Sequence, residues 1–245
     1  MKNRVDIIYD IYTHLYREPQ KIDCIRKTDK KFKNEENMIK NLKRLEVPLN
    51  HILNVFFLSL SYNQINWLFR NIVNKECNDD YNLLVRDIRE FVDISQIKNP
   101  TQPDLLFIWE KNIISIELKV QSKSDYSQIL KYALLHHLER KKSKINKSHY
   151  LILVGKWPFP NFWKEKHITE ENLKDECKKN IENIEKKYYI YKNEIVNMID
   201  QMNITYISYK WIVNILENEI SQEDKKTQDL YSWLINELEE RKLSI

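Results

Sequence analysis

The sequence predicts an α/β fold: a central mixed β-sheet flanked by helices, with N-terminal helices before it and a long C-terminal amphipathic helix after it. Three observations carry this. "DLLFIWE", "NIISIELKV" and "HYLILVG" are short runs rich in Ile, Leu and aromatic residues, separated by polar turns, as buried strands are. Between the second and third, Tyr126, Ile129, Leu130, Ala133, Leu134 and Leu138 form a helical stripe. With "YNLLVRDIREFVDIS" read as an earlier strand, the order is strand, hairpin, helix, strand, which points to a mixed sheet.

The remaining elements follow from periodicity. Val5, Ile8, Tyr12 and Leu15 recur at spacings of three and four, an amphipathic helix, and the basic segment "RKTDKKFK" follows it. From Glu35 to about Val73 the pattern is mainly helical, with breaks expected at Pro48 and at Ser59 to Asn63. Beyond the sheet, Leu173, Cys177, Ile181, Ile184, Tyr188, Tyr191, Ile195 and Met198 alternate four- and three-residue steps after Thr169, a candidate N-cap. One long helix is expected there, lying on its own domain or docking a partner. "NITYISYKW" reads as a further strand, and Leu230, Trp233, Leu234 and Leu238 as a final helix. The reading is one domain over 1–245, with a helical part at 1–76, a core at 77–160 and a helical extension with a further strand at 161–245.

Composition narrows the function. The 245 residues suffice to bury a core without disulfides or structural metal. Glycine occurs once, at Gly155, which excludes P-loop and dinucleotide-binding loops, both of which need several glycines to bring backbone amides onto phosphate. Cys24, Cys77 and Cys177 are far apart and odd in number, so neither a disulfide framework nor a zinc site is indicated. The greasiest run, Val55 to Leu60, is too short to span a bilayer, and the N-terminus has no apolar signal core. A cytoplasmic protein without membrane association is expected. A net charge of +4 is compatible with a polyanionic partner but does not require one.

Charged residues interrupt the two apolar hairpin strands at Asp104, Glu117 and Lys119. Strand side chains alternate faces, so Glu117 and Lys119 point the same way, as do Ser115 and Gln121. A short turn at Glu110 to Asn112 puts Asp104 opposite position 117 or 118, depending on whether the loop has two or three residues. Either register brings two carboxylates to one end of the hairpin. They repel unless a cation lies between them, and hard oxygen ligands favour Mg²⁺ or Mn²⁺. A neighbouring lysine would let such a site bind a phosphodiester and activate a water.

Gln128 and Tyr132, four residues apart on the next helix, share a face that would pack beside the Glu117 strand. Taken alone, Gln128 suits a solvent-facing position and Tyr132 a core one. The run from Glu139 to His149 carries Arg140, Lys141, Lys142, Lys144 and Lys147, either a phosphate grip or a solvated loop. His136 and His137 diverge by about 100° on a helix, which argues against joint metal ligation.

"PD" at Pro103 and Asp104, "IELK" at Ile116 to Lys119 and "QILKY" at Gln128 to Tyr132 resemble the PD-(D/E)xK nuclease superfamily, with its restriction-endonuclease-like fold. The last motif is similar to the Gln-Tyr motif of the RecB-like and Cas4-like branches, and the resemblance spans roughly Tyr81 to Val154. It implies Mg²⁺ or Mn²⁺ held by Asp104 and Glu117, with Leu118 in the metal set. It further implies that Lys119 positions or activates water, and that Gln128 and Tyr132 support the site or contact the nucleic-acid backbone. An acid from an upstream helix often joins such sites. "LEVPLNHIL" is similar to the start of that helix in an uncharacterised bacterial subgroup, making Glu46 the candidate and Glu35, Glu36 and Glu76 its rivals. The expectation is a Mg²⁺-dependent nuclease acting on DNA, in restriction, repair or phage defence, restrained by a regulatory protein partner, by homodimer formation or by a requirement for modified DNA. The alternative is a non-catalytic nucleic-acid-binding or scaffold subunit on the same fold.

Overall fold

The computed structural model describes residues 42–44, 46–73, 82–84, 101, 103–109, 111–184 and 186–244. The expected helix at Val5 to Leu15, the basic segment after it, most of "YNLLVRDIREFVDIS", and Glu35, Glu36 and Glu76 lie outside them. Among the described residues there are eight α-helices, and the chain divides into two compact units. One gathers the described residues up to Leu60 with those from Tyr209 onward; the other is Ser61–Ser208. This grouping cuts across the three consecutive parts expected from the sequence. No described helix is long and apolar enough to cross a membrane.

In the first unit, helix α1 is Glu46–Ser59. Leu42 is helical, Lys43 and Arg44 form a turn and α1 starts at Glu46, so the break expected at Pro48 lies just before it, and Pro48 sits buried in the first turn of α1, where its missing N–H costs no hydrogen bond. Two C-terminal helices belong to the same unit, α7 (Tyr209–Glu219) and α8 (Lys225–Glu240). Asp224 caps α8, accepting from the Lys226 and Thr227 amides at 2.9 and 3.2 Å. Phe56 of α1 meets Tyr231 of α8 with ring centroids 6.1 Å apart. The expected strand "NITYISYKW" stops at Ser208: Tyr209, Val213 and Leu216 are buried at four- and three-residue steps, a helical stripe that claims the rest.

The second unit opens with α2 (Tyr62–Val73) and is built on one sheet. Four of its strands are β2 (Leu105–Ile108), β3 (Asn112–Lys119), β4 (Ser148–Gly155) and β5 (Asn203–Ser208). β2 and β3 form an antiparallel hairpin, whereas β3, β4 and β5 run parallel. A three-residue segment, β1 (Asn82–Leu84), pairs antiparallel along the outer edge of β2. Parallel pairing demands crossovers, and α3 (Tyr126–Ser143) supplies the one from β3 to β4. The β4–β5 crossover contains α4 (Phe159–Phe162), α5 (Leu173–Lys179) and α6 (Lys192–Gln201).

Both faces of the sheet are covered, so β3 is buried over all but its first residue. On one face Leu106, Ile113, Leu151 and Leu153 join the core formed with Ile129, Ala133 and Leu134 of α3 and Ile195 and Met198 of α6. On the other, Phe69 of α2 lies edge-on to Phe107 at 4.8 Å.

The long helix expected from Leu173 to Met198 is broken. Helix α5 stops at Lys179, 3₁₀ turns cover Ile181–Asn183 and Lys186–Tyr191, and α6 begins at Lys192. Ile184 between them is extended, with φ −65° and ψ 150°. Every member of the stripe still reaches the core cluster, Tyr191 only partly buried. The 3₁₀ turns keep the apolar side chains inward without keeping one helical axis. With no continuous helix, the coiled-coil docking alternative loses its element.

Candidate active site

Hairpin geometry places the first carboxylate. The Trp109 N–H donates to the Asn112 carbonyl at 2.8 Å, and the pairing runs from Ile108 opposite Ile113 to Leu105 opposite Ile116. One step further in this register, Asp104 falls opposite Glu117, the two-residue-loop case. Asp104 Oδ2 accepts the Leu118 N–H at 2.7 Å, pinning the carboxylate to the strand that carries Glu117.

Glu117 is the centre of the site and is only 4% exposed. Its Oε1 accepts from the Lys119 ammonium at 2.6 Å and also from Gln128 Nε2. Its Oε2 accepts the Tyr132 hydroxyl at 2.5 Å. The reason is local. Alternation along β3 turns Glu117 and Lys119 to the face that α3 covers, and the four-residue spacing on α3 aims Gln128 and Tyr132 at the same carboxylate. Burying an ionised carboxylate is costly unless it is paired and hydrogen-bonded, and here three donors meet it. Burial, and after it the Glu117 and Asp104 charges, push the Tyr132 hydroxyl well above its ordinary pKa, so it remains a donor.

The cluster sits where β3 ends. The parallel register sets Lys119 beside Gly155 and Gly155 beside Ser208, so three strands finish together. Such carboxyl ends are where open α/β sheets bind ligands. The chain's one glycine has a steric role here: a Cβ at Gly155 would stand 2.5 Å from Cδ2 of Phe162. The missing Cβ lets α4 close over the strand ends.

Asp104, Glu117, Lys119, Gln128 and Tyr132 are thus brought together within one unit. Glu46 is the first residue of α1, in the other unit. The Leu118 side chain is buried and offers no donor atom, so only its backbone oxygen could ligate a metal. Among the described residues, no three His, Cys, Asp or Glu side chains form a set that could hold an ion. Two carboxylates nevertheless suit Mg²⁺, which is usually held by one or two of them while waters and substrate phosphates complete its octahedron.

Compared with known proteins, the chain matches no family model, no curated protein and no solved structure. The site therefore stands on its own geometry.

The basic run divides. Lys147 is committed to a buried ion pair with Glu139 at 2.9 Å, and Arg140 donates to Gln201, whereas Lys141, Lys142 and Lys144 lie along the end of α3 and just past it. His136 and His137 diverge as expected: His136 is buried against Ser115 at 2.7 Å, and His137 faces the Tyr191 ring. One residue near the site was not singled out in the sequence. Lys164 pairs with Asp125, at the N-cap position of α3, at 2.7 Å.

Proposed function

We propose that this protein is a divalent-metal-dependent nuclease of the PD-(D/E)xK type, with a restriction-endonuclease-like core, that hydrolyses phosphodiester bonds, of DNA in the first instance. The observation that carries the reading is the convergence of Lys119, Gln128 and Tyr132 on Glu117, with Asp104 held at the same strand end. Strand, hairpin, helix, strand is also the order in which the motif elements were expected.

In this reading Asp104 and Glu117 hold Mg²⁺ or Mn²⁺, with the Leu118 carbonyl as a further ligand. The bound ion supplies Lewis acidity and lowers the pKa of a coordinated water. Lys119 orients the attacking water and offsets negative charge developing on the phosphoryl oxygens. The water oxygen forms the new P–O bond and gives up a proton to solvent, the P–O bond to the sugar breaks, and the departing oxygen takes up a proton from solvent. Gln128 and Tyr132 fix the Glu117 rotamer, and the carboxylate so held would be one ligand of the metal.

A non-catalytic binding or scaffold role is favoured by one observation: the donors around Glu117 belong to the protein itself, as in a purely structural buried network. Purified protein with Mg²⁺ or Mn²⁺, given labelled DNA and RNA, separates the two. Cutting that falls about a hundredfold or more in Lys119→Ala is expected of the enzyme. No cutting of any substrate, or cutting indifferent to that substitution, sinks it.

A further inference from the structure

The segment after α4 is tied to the start of α3. Ser124 donates its N–H to the Phe162 carbonyl at 2.9 Å, and its own carbonyl accepts the Lys164 N–H at 2.9 Å. This short parallel bridge, Ser124 to Trp163, sets Lys164 over Asp125. Ser124 is itself 3.4 Å from Gln128 Oε1, so the same bridge touches the residue that donates to Glu117. Trp163 is fully buried, which fixes the backbone, while the Lys164 side chain is 59% exposed and points outward. Lys164 and Lys119 also sense each other: Asp125 raises the Lys164 pKa and the Lys119 charge works against it. A buried cation at the centre of the site therefore has an exposed one within electrostatic reach at its rim.

We infer that Lys164 is a substrate-binding residue, exchanging its ion pair with Asp125 for a phosphate of the nucleic-acid strand that leads into the Glu117 site. The exchange needs little. An exposed ion pair contributes little, whereas a phosphate offers a charge-assisted hydrogen bond and the release of condensed counterions. Asp125 accordingly competes with substrate. It repels an approaching phosphate and occupies the lysine until one arrives. The inference rests on the nuclease reading and adds to it the residue that admits the substrate backbone.

The test is fluorescence anisotropy of labelled duplex and single-stranded DNA, with EDTA present so that nothing is cut. Lys164→Ala should weaken binding about tenfold and make the plot of log affinity against log salt shallower by about 0.9 for duplex or 0.7 for single strand, because one phosphate fewer is neutralised. Lys164→Arg should restore binding, and Asp125→Asn should tighten it about threefold by removing the competing carboxylate. Unchanged affinity and slope in Lys164→Ala and Asp125→Asn, while the wild type binds and cuts, would overturn this inference and leave the nuclease reading standing. A wild type that neither binds nor cuts would end both. Should Lys164→Ala misfold by circular dichroism, the arginine and Asp125→Asn variants decide alone.

Discussion

Two buried polar clusters lie under α3 on the same face of the sheet, and they are satisfied in opposite ways. Around Glu117, each carboxylate oxygen meets at least one donor. One turn of helix further on, the rings of His136 and His149 lie tilted with centroids 4.9 Å apart, and among the described residues His136 Nδ1, both nitrogens of His149 and Glu139 Oε2 have no hydrogen-bond partner. Burial first, and for His149 then the Arg140 and Lys147 charges, lowers both imidazole pKa values, that of His149 to about 4. A neutral imidazole can be buried with missing partners at modest cost, whereas a buried carboxylate needs a charged partner, which Glu139 has in Lys147. The chain thus gives Glu117 three donors at the strand ends and lets the two imidazoles behave as core.

The largest expected effect breaks the charged cluster. Glu117→Ala should lower unfolding free energy by about 3–5 kcal/mol in urea titrations at neutral pH, because it strands a buried ammonium, an amide and a hydroxyl together. Glu117→Gln, which keeps an acceptor, should lose less. A null effect in Glu117→Ala would mean that the cluster is wetter than its burial implies.

The histidine layer should answer to pH instead. With the folded pKa of His149 near 4 and the unfolded value near 6.5, the unfolded chain binds more protons between these values. Stability is therefore present above 6.5 and falls as pH drops toward 4, by roughly 3 kcal/mol. His149→Leu should be close to wild type at pH 7.5, more stable at pH 5, and flatter between them. Parallel curves for the two proteins would refute this assignment.

Smaller effects test the packing that frames the site. Gly155→Ala should cost about 1–3 kcal/mol by forcing Phe162 off the strand end. Tyr132→Phe should cost about 1.5 kcal/mol, the loss of one hydrogen bond to a charged acceptor, with the ring still filling its place. A thermal melt unchanged in either variant would count against the geometry described.

Much of the site was legible because it obeys two simple periods. Alternation puts Glu117 and Lys119 on one face, a four-residue helical step joins Gln128 to Tyr132, and the hairpin register carries Asp104 across. The fracture between Leu173 and Met198 was not legible, since an apolar stripe at three- and four-residue steps survives a change from α to 3₁₀ turns. The commitment of Lys147 to Glu139 was hidden for a similar reason: composition marks a lysine as basic but not as buried. Lys164 carried no signal at all, because a tertiary bridge between Ser124 and Trp163, remote in sequence, delivers it to Asp125. The first unit joins the two ends of the described chain, a grouping that local patterns do not encode.

The central claim is that Asp104 and Glu117 act together on a divalent cation. Titration of the protein with Mn²⁺, following the loss of the free-ion electron paramagnetic resonance signal, tests it most directly. Saturable binding in the wild type that is lost in both Asp104→Asn and Glu117→Gln, with the fold intact by circular dichroism, is the predicted result. Binding that is absent, or that persists undiminished in either variant, would contradict it.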